Sequence, residues 1–508
     1  MTRGGVVEGR ARTLPAPVFI DLTGRDRVRR IAMASAAFAA LIVFANSLAN
    51  GFVLDDRGVV VNNPLVTSPL TAWRVFGLPY WPETLGGGQY RPLGILSFAL
   101  DWAVSGGDAR WFHAVNVMWH VAATVLVWLL AAELLAPVAA AVAATVFAVH
   151  PVHVEAVSNV VGRLEPMATV FVVGALLAHR RGHWSAALLF ALGLLSKEIA
   201  IVFVALAAAN DLLLERDWRA ALRARRWLYA AYGGLVLAYA IALVAVFHDR
   251  EFTRPARAFL DTSLMERLSI IARVVPHYLR LLAAPAELSA SYAPNVIDPR
   301  PGFTLAGSLG VLMLLIGTVA FAIVARQRRS PALAFALVWV AVSIAPVSNV
   351  LFPSGVVLAE RTLYLASVGT CLVAGIAAER FLLTKPVMVT AATASVVLAF
   401  GVRTWTRTPA WRDDRAYVLT LLADHPESYE AHLAAGVALK GANALEQADR
   451  ELTIARQLFP RDSVVYRMAA DLAERQRHPV AAAALRDSAR NARTIPYGSN
   501  SFGSGARR

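Results

Sequence analysis

The chain has 508 residues, of which 57% are hydrophobic and only 17% charged. A soluble chain would carry about 25% charged residues, and the surplus here comes in apolar blocks of about 18–22 residues, the length that crosses ~30 Å of hydrocarbon as a helix; this excludes a soluble globular protein and a β-barrel, whose strands would alternate. The net charge of +14 sits largely in short loops between the blocks, a positive-inside pattern rather than a nucleic-acid surface, and the single cysteine, Cys371, excludes an internal disulfide or a cysteine-rich metal site.

In chain order, residues 1–24 are polar, rich in Gly, Arg and Pro, and expected to be a disordered cytoplasmic N-terminus. The apolar run 31–49 is too long for a cleavable signal peptide and is predicted to be a retained first crossing. Ten more crossings are predicted at about 112–135, 138–150, 164–179, 184–196, 198–214, 228–247, 303–325, 331–349, 361–379 and 386–402. With the N-terminus cytoplasmic, the basic loops at 27–30, 180–181, 216–226, 326–329 and 380–385 share one side, and eleven crossings put the C-terminus on the other. The stretch 268–284 carries Arg273, Pro276, His277 and Arg280 and is expected to be an interfacial or re-entrant helix on the outer face. The predicted fold is thus all-α: a polytopic helical bundle over 25–403, with large outer loops at 50–111 and 248–302. Residues 410–508 have a soluble composition. Within them the pattern of 429–436 and 448–455, closed by Pro460, fits a 34-residue helix-turn-helix repeat of the tetratricopeptide type, with a poorer copy at 463–494. An ordinary helical hairpin is the alternative.

Several groups of ionisable residues sit where apolar blocks meet the outer loops. Asp55 and Asp56 follow the first crossing directly. They either form a solvated turn or act on something that arrives from the lipid side. His150, His153 and Glu155 are followed closely by Arg163 and Glu165. Imidazole and carboxylate are common metal ligands, but the i, i+4 spacing of a helical zinc motif is missing, so an anionic head-group site is the better reading. Lys197 and Glu198 interrupt a long apolar stretch, as an interfacial turn or as part of the same site. Arg361, beside Glu360, opens the tenth crossing; its planar fork of donors at a helix N-terminus suits a phosphate, and a plain pairing with Glu360 is the structural alternative. His113, Asn116 and His120 share one helix face, to bond a neighbouring helix or to serve the site.

Taken together, these motifs resemble the transmembrane and tetratricopeptide-repeat (TMTC-like) O-mannosyltransferases and, more broadly, membrane glycosyltransferases of the GT-C fold. The resemblance rests on Phe52, Asp55 and Asp56 with Asn63-Pro64, on Tyr90-Arg91-Pro92-Leu93, on His113 with Asn116 and His120, on His150, His153 and Glu155, on Gly162-Arg163, on Ser196-Lys197-Glu198, and on Glu360-Arg361 with Tyr364. They occur in that order between residues 30 and 403, with repeats after them. Leu54 departs from the aromatic residue usual before the first Asp, and the repeat array is short. The resemblance implies a polyprenyl-phosphate-linked sugar donor, mannose in that family, and an acceptor hydroxyl on protein Ser or Thr or on a glycan, bound with help from the repeats. It implies Asp55 or Asp56 as general base with inversion at the sugar, and Arg163, Lys197 and Arg361 as ligands of the donor phosphate. Arg91, His113, His150, His153, Glu155, Glu198 and Tyr364 would complete the site. No cofactor is required, although some relatives use a divalent ion. The Ala/Arg/Val-rich composition suggests a GC-rich bacterium, hence a multi-pass inner-membrane protein with its repeats periplasmic or extracellular. The competing readings are a transporter or flippase of a lipid-linked anion, which should show inverted repeats, and a non-catalytic membrane scaffold presenting the repeats.

Overall fold

Long apolar runs punctuated by Pro and small polar residues dictate helices with sharp starts, and that is what forms. The computed structural model describes residues 24–82, 87–248, 255–292, 294–327, 330–351 and 353–492, so residues 1–23 of the expected disordered N-terminus fall outside it. Among the described residues the structure is helical, with no strand. The main helices are α1 (Gly24–Val43), α2 (Pro92–Ser105), α3 (Ala109–Leu134), α4 (Pro137–Ala148), α5 (Leu164–Arg180), α6 (Ser185–Ser196), α7 (Phe203–Leu213), α8 (Arg226–Phe247), α9 (Leu264–Ala283), α10 (Leu305–Gln327), α11 (Pro331–Ile344), α12 (Tyr364–Leu382) and α13 (Pro386–Arg407). After the last of these come α14 (Asp414–Asp424), α15 (Tyr429–Gly441), α16 (Leu445–Leu458), α17 (Ser463–Arg475) and α18 (Pro479–Asn491). Prolines open α2, α4, α11, α13 and α18, where the missing N–H costs nothing because the first turn has no internal partner for it.

Among the described residues, seven stretches are long and apolar enough to cross a membrane: Arg27–Ala49, Ala109–Leu134, Val160–Arg180, Arg226–Phe247, Leu305–Val324, Glu360–Leu382 and Pro386–Trp411. An eighth is the pair Pro137–Ala148 and Pro151–Ser158, bent by 45°. The other three predicted crossings coincide with α6, α7 and α11, which have 12, 11 and 14 residues. At 1.5 Å per residue each rises only about 17–21 Å, short of the hydrocarbon thickness. By length and apolarity, seven or eight crossings are supported among the described residues, and the expected eleven are not confirmed. The physical cause is legible: α6 stops where Lys197 turns extended, and α11 runs into the 3-10 turn Ala345–Val347, which contains Pro346. The segment at 268–284 is the larger part of α9, opened by a reciprocal Ser263–Glu266 capping box and not among the long apolar stretches.

Contacts sort the helix ends into two sets. At one end, Glu133 pairs with Arg180 and Arg181, Asp211 pairs with Arg225, and the Glu379 carboxylate accepts the Ala136 N–H. At the other, Asn46 donates to Trp405 O, Arg91 pairs with Glu198, Lys197 with Glu165, and Arg361 with Glu155. The core between them is packed from Ala, Val, Leu and Phe, and small residues let backbones approach. Gly369 lies so close to α11 that a Cβ would stand 2.7 Å from Ala336 O.

The C-terminal helices form antiparallel pairs, α15 with α16 and α17 with α18. Tyr429 to Ser463 and Leu445 to Pro479 are each 34 residues apart, so the second pair repeats the first. At Gly436 a Cβ would come within 2.7 Å of the Leu452 side chain, which is why a small residue stands there; Ala470, 34 residues on, is likewise buried. The array does not stand free: Tyr417, Val418, Leu421, Ala431 and Ala435 belong to the membrane domain's core.

Candidate active site

After α1 a 3-10 turn, Ala45–Ala49, leads the chain into the Asp55-Asp56 turn. The two carboxylates have different surroundings. Asp56 is fully buried, and its oxygens accept the Val53 N–H (3.0 Å) and the Val161 N–H (2.9 Å). It ties the first loop to the 3-10 turn Val160–Arg163 that leads into α5. Burial pushes its carboxyl up to about 7, against the lowering effect of those amides. Asp55 is half-buried and accepts no hydrogen bond from any described residue. Burial raises its proton affinity, Arg361 opposes that, and Glu155 and Glu430 add to it; the net shift is upward.

Three cations, each with an acidic partner, gather at this end of the bundle, and Arg361 is the one whose charge acts on Asp55. Arg361 is the second residue of the 3-10 turn Glu360–Leu363 before α12, and Glu155 accepts both its backbone N–H (2.9 Å) and its guanidinium Nη1. Its side chain stays 28% exposed, and neither Nε nor Nη2 bonds to a described residue, so part of the fork faces outward. Lys197 is buried against Glu165. Arg91 lies over the Tyr80 ring and forks onto Glu198 through Nε (2.8 Å) and Nη2. Their mutual influence joins the three into one cluster: Lys197 feels Arg91, Glu198 and Arg361, and Arg361 feels Asp55 and Glu165. The chain thus gathers residues from the first loop, the 150–165 stretch, the α6–α7 break and the start of α12 at one end of the bundle. Gly162 permits this: a Cβ there would stand 2.5 Å from Glu155 O and 2.7 Å from Ala156 O.

Other predicted site residues fall elsewhere. Arg163 is a correction. It is completely buried between the rings of Phe98 and Phe112, and its fork is filled by Asp101, Asn116 Oδ1 (2.6 Å) and Phe112 O (2.9 Å). It has no face left for a phosphate. The histidines also lie outside the charged cluster, although Nδ1 of His113 and of His153 has no hydrogen-bond partner among the described residues and His150 lines an apolar cavity. His113 Nε2 lies 3.2 Å from Gly51 O, His150 Nε2 lies 3.2 Å from Leu282 O, and His153 Nε2 lies 2.8 Å from Ser367 Oγ. All three are buried and join segments of the bundle rather than the charged cluster. Tyr364 is buried too, with its hydroxyl 2.7 Å from His120 Nδ1. Asn116 donates to three carbonyls between Val157 and Val160, so the polar stripe on α3 braces the 157–163 segment. Sequence reading placed Glu165 in the charged 150–165 stretch but gave it no individual role; here it is the partner of Lys197. That reading missed Tyr80, Tyr417, Asp414 and Glu430 entirely; only folding brings them to the site.

Among the described residues no three His, Cys, Asp or Glu side chains converge to hold a metal ion. An apolar cavity of about 1180 Å³ is lined from α4 and α9 to α13, with His150 and Phe400 toward one end and Phe381 and Met388 toward the other.

No family profile matches the chain. Curated relatives do. It is 27% identical over 437 residues to the protein O-mannosyl-transferase F38B6.6 of Caenorhabditis elegans, covering 83% of this chain and 62% of that one. It is 33% identical over 280 residues to Tmtc2 of Drosophila melanogaster, covering 51% and 30%. It is 24% identical over 497 residues to human TMTC3, covering 82% and 54%. The chain thus spans less than two thirds of the length of each. A solved structure, the oligosaccharyltransferase of Archaeoglobus fulgidus with a tethered acceptor peptide, aligns with a TM-score of 0.41 at 13% identity, over 76% of this chain and 55% of that one. By sequence the chain is therefore similar, along most of its length, to the TMTC protein O-mannosyl-transferases.

Proposed function

We propose that the protein is a membrane glycosyltransferase that moves a hexose, mannose by analogy with its relatives, from a polyprenyl-phosphate carrier to a protein Ser or Thr hydroxyl. The observation that carries this reading is the Asp55 carboxylate, which accepts no hydrogen bond from any described residue and lies within the electrostatic reach of Arg361, whose fork is part-exposed. The acceptor oxygen attacks the anomeric carbon while Asp55 takes its proton. The bond from that carbon to the phosphate oxygen breaks, and the phosphate leaves with the electron pair. Arg361 meets the growing negative charge, with Lys197 and Arg91 behind it. One displacement with one base inverts the sugar centre. The apolar cavity offers room for a polyprenyl tail: its lining includes Thr370 and Cys371, nine and ten residues along α12 from Arg361.

On this reading the bundle has a GT-C-type arrangement, and the helix pairs with their 34-residue offset are tetratricopeptide repeats that help bind the acceptor. Because Gly51 N–H donates to Arg412 O (2.8 Å), the first loop and the repeats share a side, which we take as the outer face of a bacterial inner membrane with the N-terminus cytoplasmic. The test is transfer of labelled mannose from a polyprenyl-phosphate donor to a Ser/Thr peptide in proteoliposomes. Flipping of the donor without transfer would favour a transporter and defeat this reading.

A further inference from the structure

The geometry points to Asp414, in the first turn of α14, as a positioning residue for Asp55. It reaches the reacting turn from the helices that follow the last membrane segment, and the inference rests on the glycosyltransferase reading above. Asp414 Oδ1 accepts the Leu54 N–H at 3.0 Å, and Asp414 Oδ2 accepts the Arg57 Nε–H at 2.8 Å. These two contacts bracket Asp55 and Asp56. From the opposite side, the Asp56 carboxylate holds the Val53 and Val161 amides, and Gly51 N–H donates to Arg412 O. The turn is therefore fastened at Gly51, Val53, Leu54, Asp56 and Arg57, and the Asp55 carboxylate is left free among them.

Leu54 supplies an independent observation. Its φ is +48°, in the left-handed region that a leucine enters only when its surroundings hold it there. The bond that holds its N–H comes from Asp414. Asp414 is itself on a rigid support: Asp413 caps the helix through the Ala416 N–H (2.7 Å), and Tyr417, Val418 and Leu421 are packed in the main core.

The Asp414–Arg57 pair is half-exposed, so water screens it and its removal costs little stability. Nor is it needed to dock the C-terminal helices. They have other fastenings: Arg407 on Asp424, Arg257 on Asp462, and the Ser291 hydroxyl on Glu430. What Asp414 does that these do not is set the backbone on both sides of Asp55. The C-terminal helices thereby become part of the reacting site, and anything that shifts α14 shifts the base.

The test uses the full chain in proteoliposomes with polyprenyl-phosphate mannose. The groups interacting with Asp55 are Asp56 beside it, Tyr80, Glu155, Arg361, Tyr417 and Glu430. Loosening the turn lets water reach the Asp55 carboxyl, so its raised proton affinity falls and the acid limb of the rate profile moves to lower pH. Asp414→Ala is expected to lower kcat on the order of 100-fold with the donor KM unchanged, to move that limb down, and to speed amide exchange at Leu54. Asp414→Asn, which keeps an acceptor for Leu54, falls between. Asp424→Asn, which breaks a docking contact only, keeps the wild-type kcat and limb. Unchanged exchange at Leu54, an unchanged kcat in Asp414→Ala, or an equal loss in Asp424→Asn overturns the inference. Failure of the unaltered protein to transfer sugar would instead sink the functional reading.

Discussion

Glu155 binds Arg361 twice, once at the backbone N–H and once at the guanidinium. The carboxylate therefore fixes the start of α12 and aims the fork, leaving Nε and Nη2 for a ligand. A lysine keeps the charge but lacks the planar fork. Arg361→Lys is expected to lower kcat/KM about 10–100-fold, the scale for losing a donor to developing charge. Steady-state kinetics at varied donor concentration measure it; a wild-type value would remove Arg361 from the phosphate site.

The two neighbouring carboxylates should separate on substitution. Asp55→Asn is expected to cost about 10²–10⁴-fold in transfer, the usual range for a general base, with an unchanged melting temperature. Asp56→Asn can accept only one of the two amide bonds, so a buried N–H loses its partner at a cost of about 1–3 kcal/mol. Its effect should appear first in thermal unfolding. The reverse pattern would exchange the two roles.

The pH dependence follows from the same pair. Burial holds the proton affinity of Asp55 above its ordinary value, so activity should fall with decreasing pH along a limb displaced upward from that of an ordinary aspartate. For stability the relevant group is Asp56, whose folded carboxyl lies near 7 against 3.8 when unfolded. Between those values the folded protein binds more protons, so the contribution is complete below pH 4 and is lost as pH rises through 7. Asp56→Asn should flatten that slope in melting curves taken from pH 5 to 8.

Lys197 and Glu165 are both buried. Removing one partner leaves an uncompensated charge, and Lys197→Met or Glu165→Gln should each destabilise by about 3–5 kcal/mol. The double variant Lys197→Met with Glu165→Leu should recover most of the stability but not the transfer. Recovery of both would make the pair purely structural.

Gly162 leaves no room for a methyl against the Glu155 and Ala156 carbonyls. Gly162→Ala must push the Val160–Arg163 turn away, with an overpacking cost of about 1–3 kcal/mol. Because Val161 N–H is a ligand of Asp56, activity should fall along with stability. A variant that melts normally and transfers sugar at the wild-type rate contradicts the close packing.

Much of the site was legible because charge in an apolar sequence is costly and therefore conspicuous. Asp55, Arg91, Lys197, Glu198 and Arg361 stand out for that reason, and all lie in the cluster. The same signal misled at Arg163 and at the histidines. A buried polar group braced between helices and one aimed at a ligand look alike in sequence, and only the partners tell them apart. The crossing count was legible only in part. α6, α7 and α11 are apolar enough, yet breaks at Lys197 and Ala345 shorten them, and apolarity does not reveal where a helix stops.

By itself, the sequence determined an all-helical membrane chain, the position of its ionisable motifs at the ends of apolar blocks and the 34-residue offset of its last helices. Each of these depends on local periodicity and on the cost of placing polar groups in lipid. Only the tertiary structure decided which aspartate is free. Asp55 and Asp56 are adjacent and chemically identical, and they differ only in what packs against them. Val161, 105 residues away, consumes Asp56, while Asp414, 357 residues beyond Arg57, holds the turn that leaves Asp55 open.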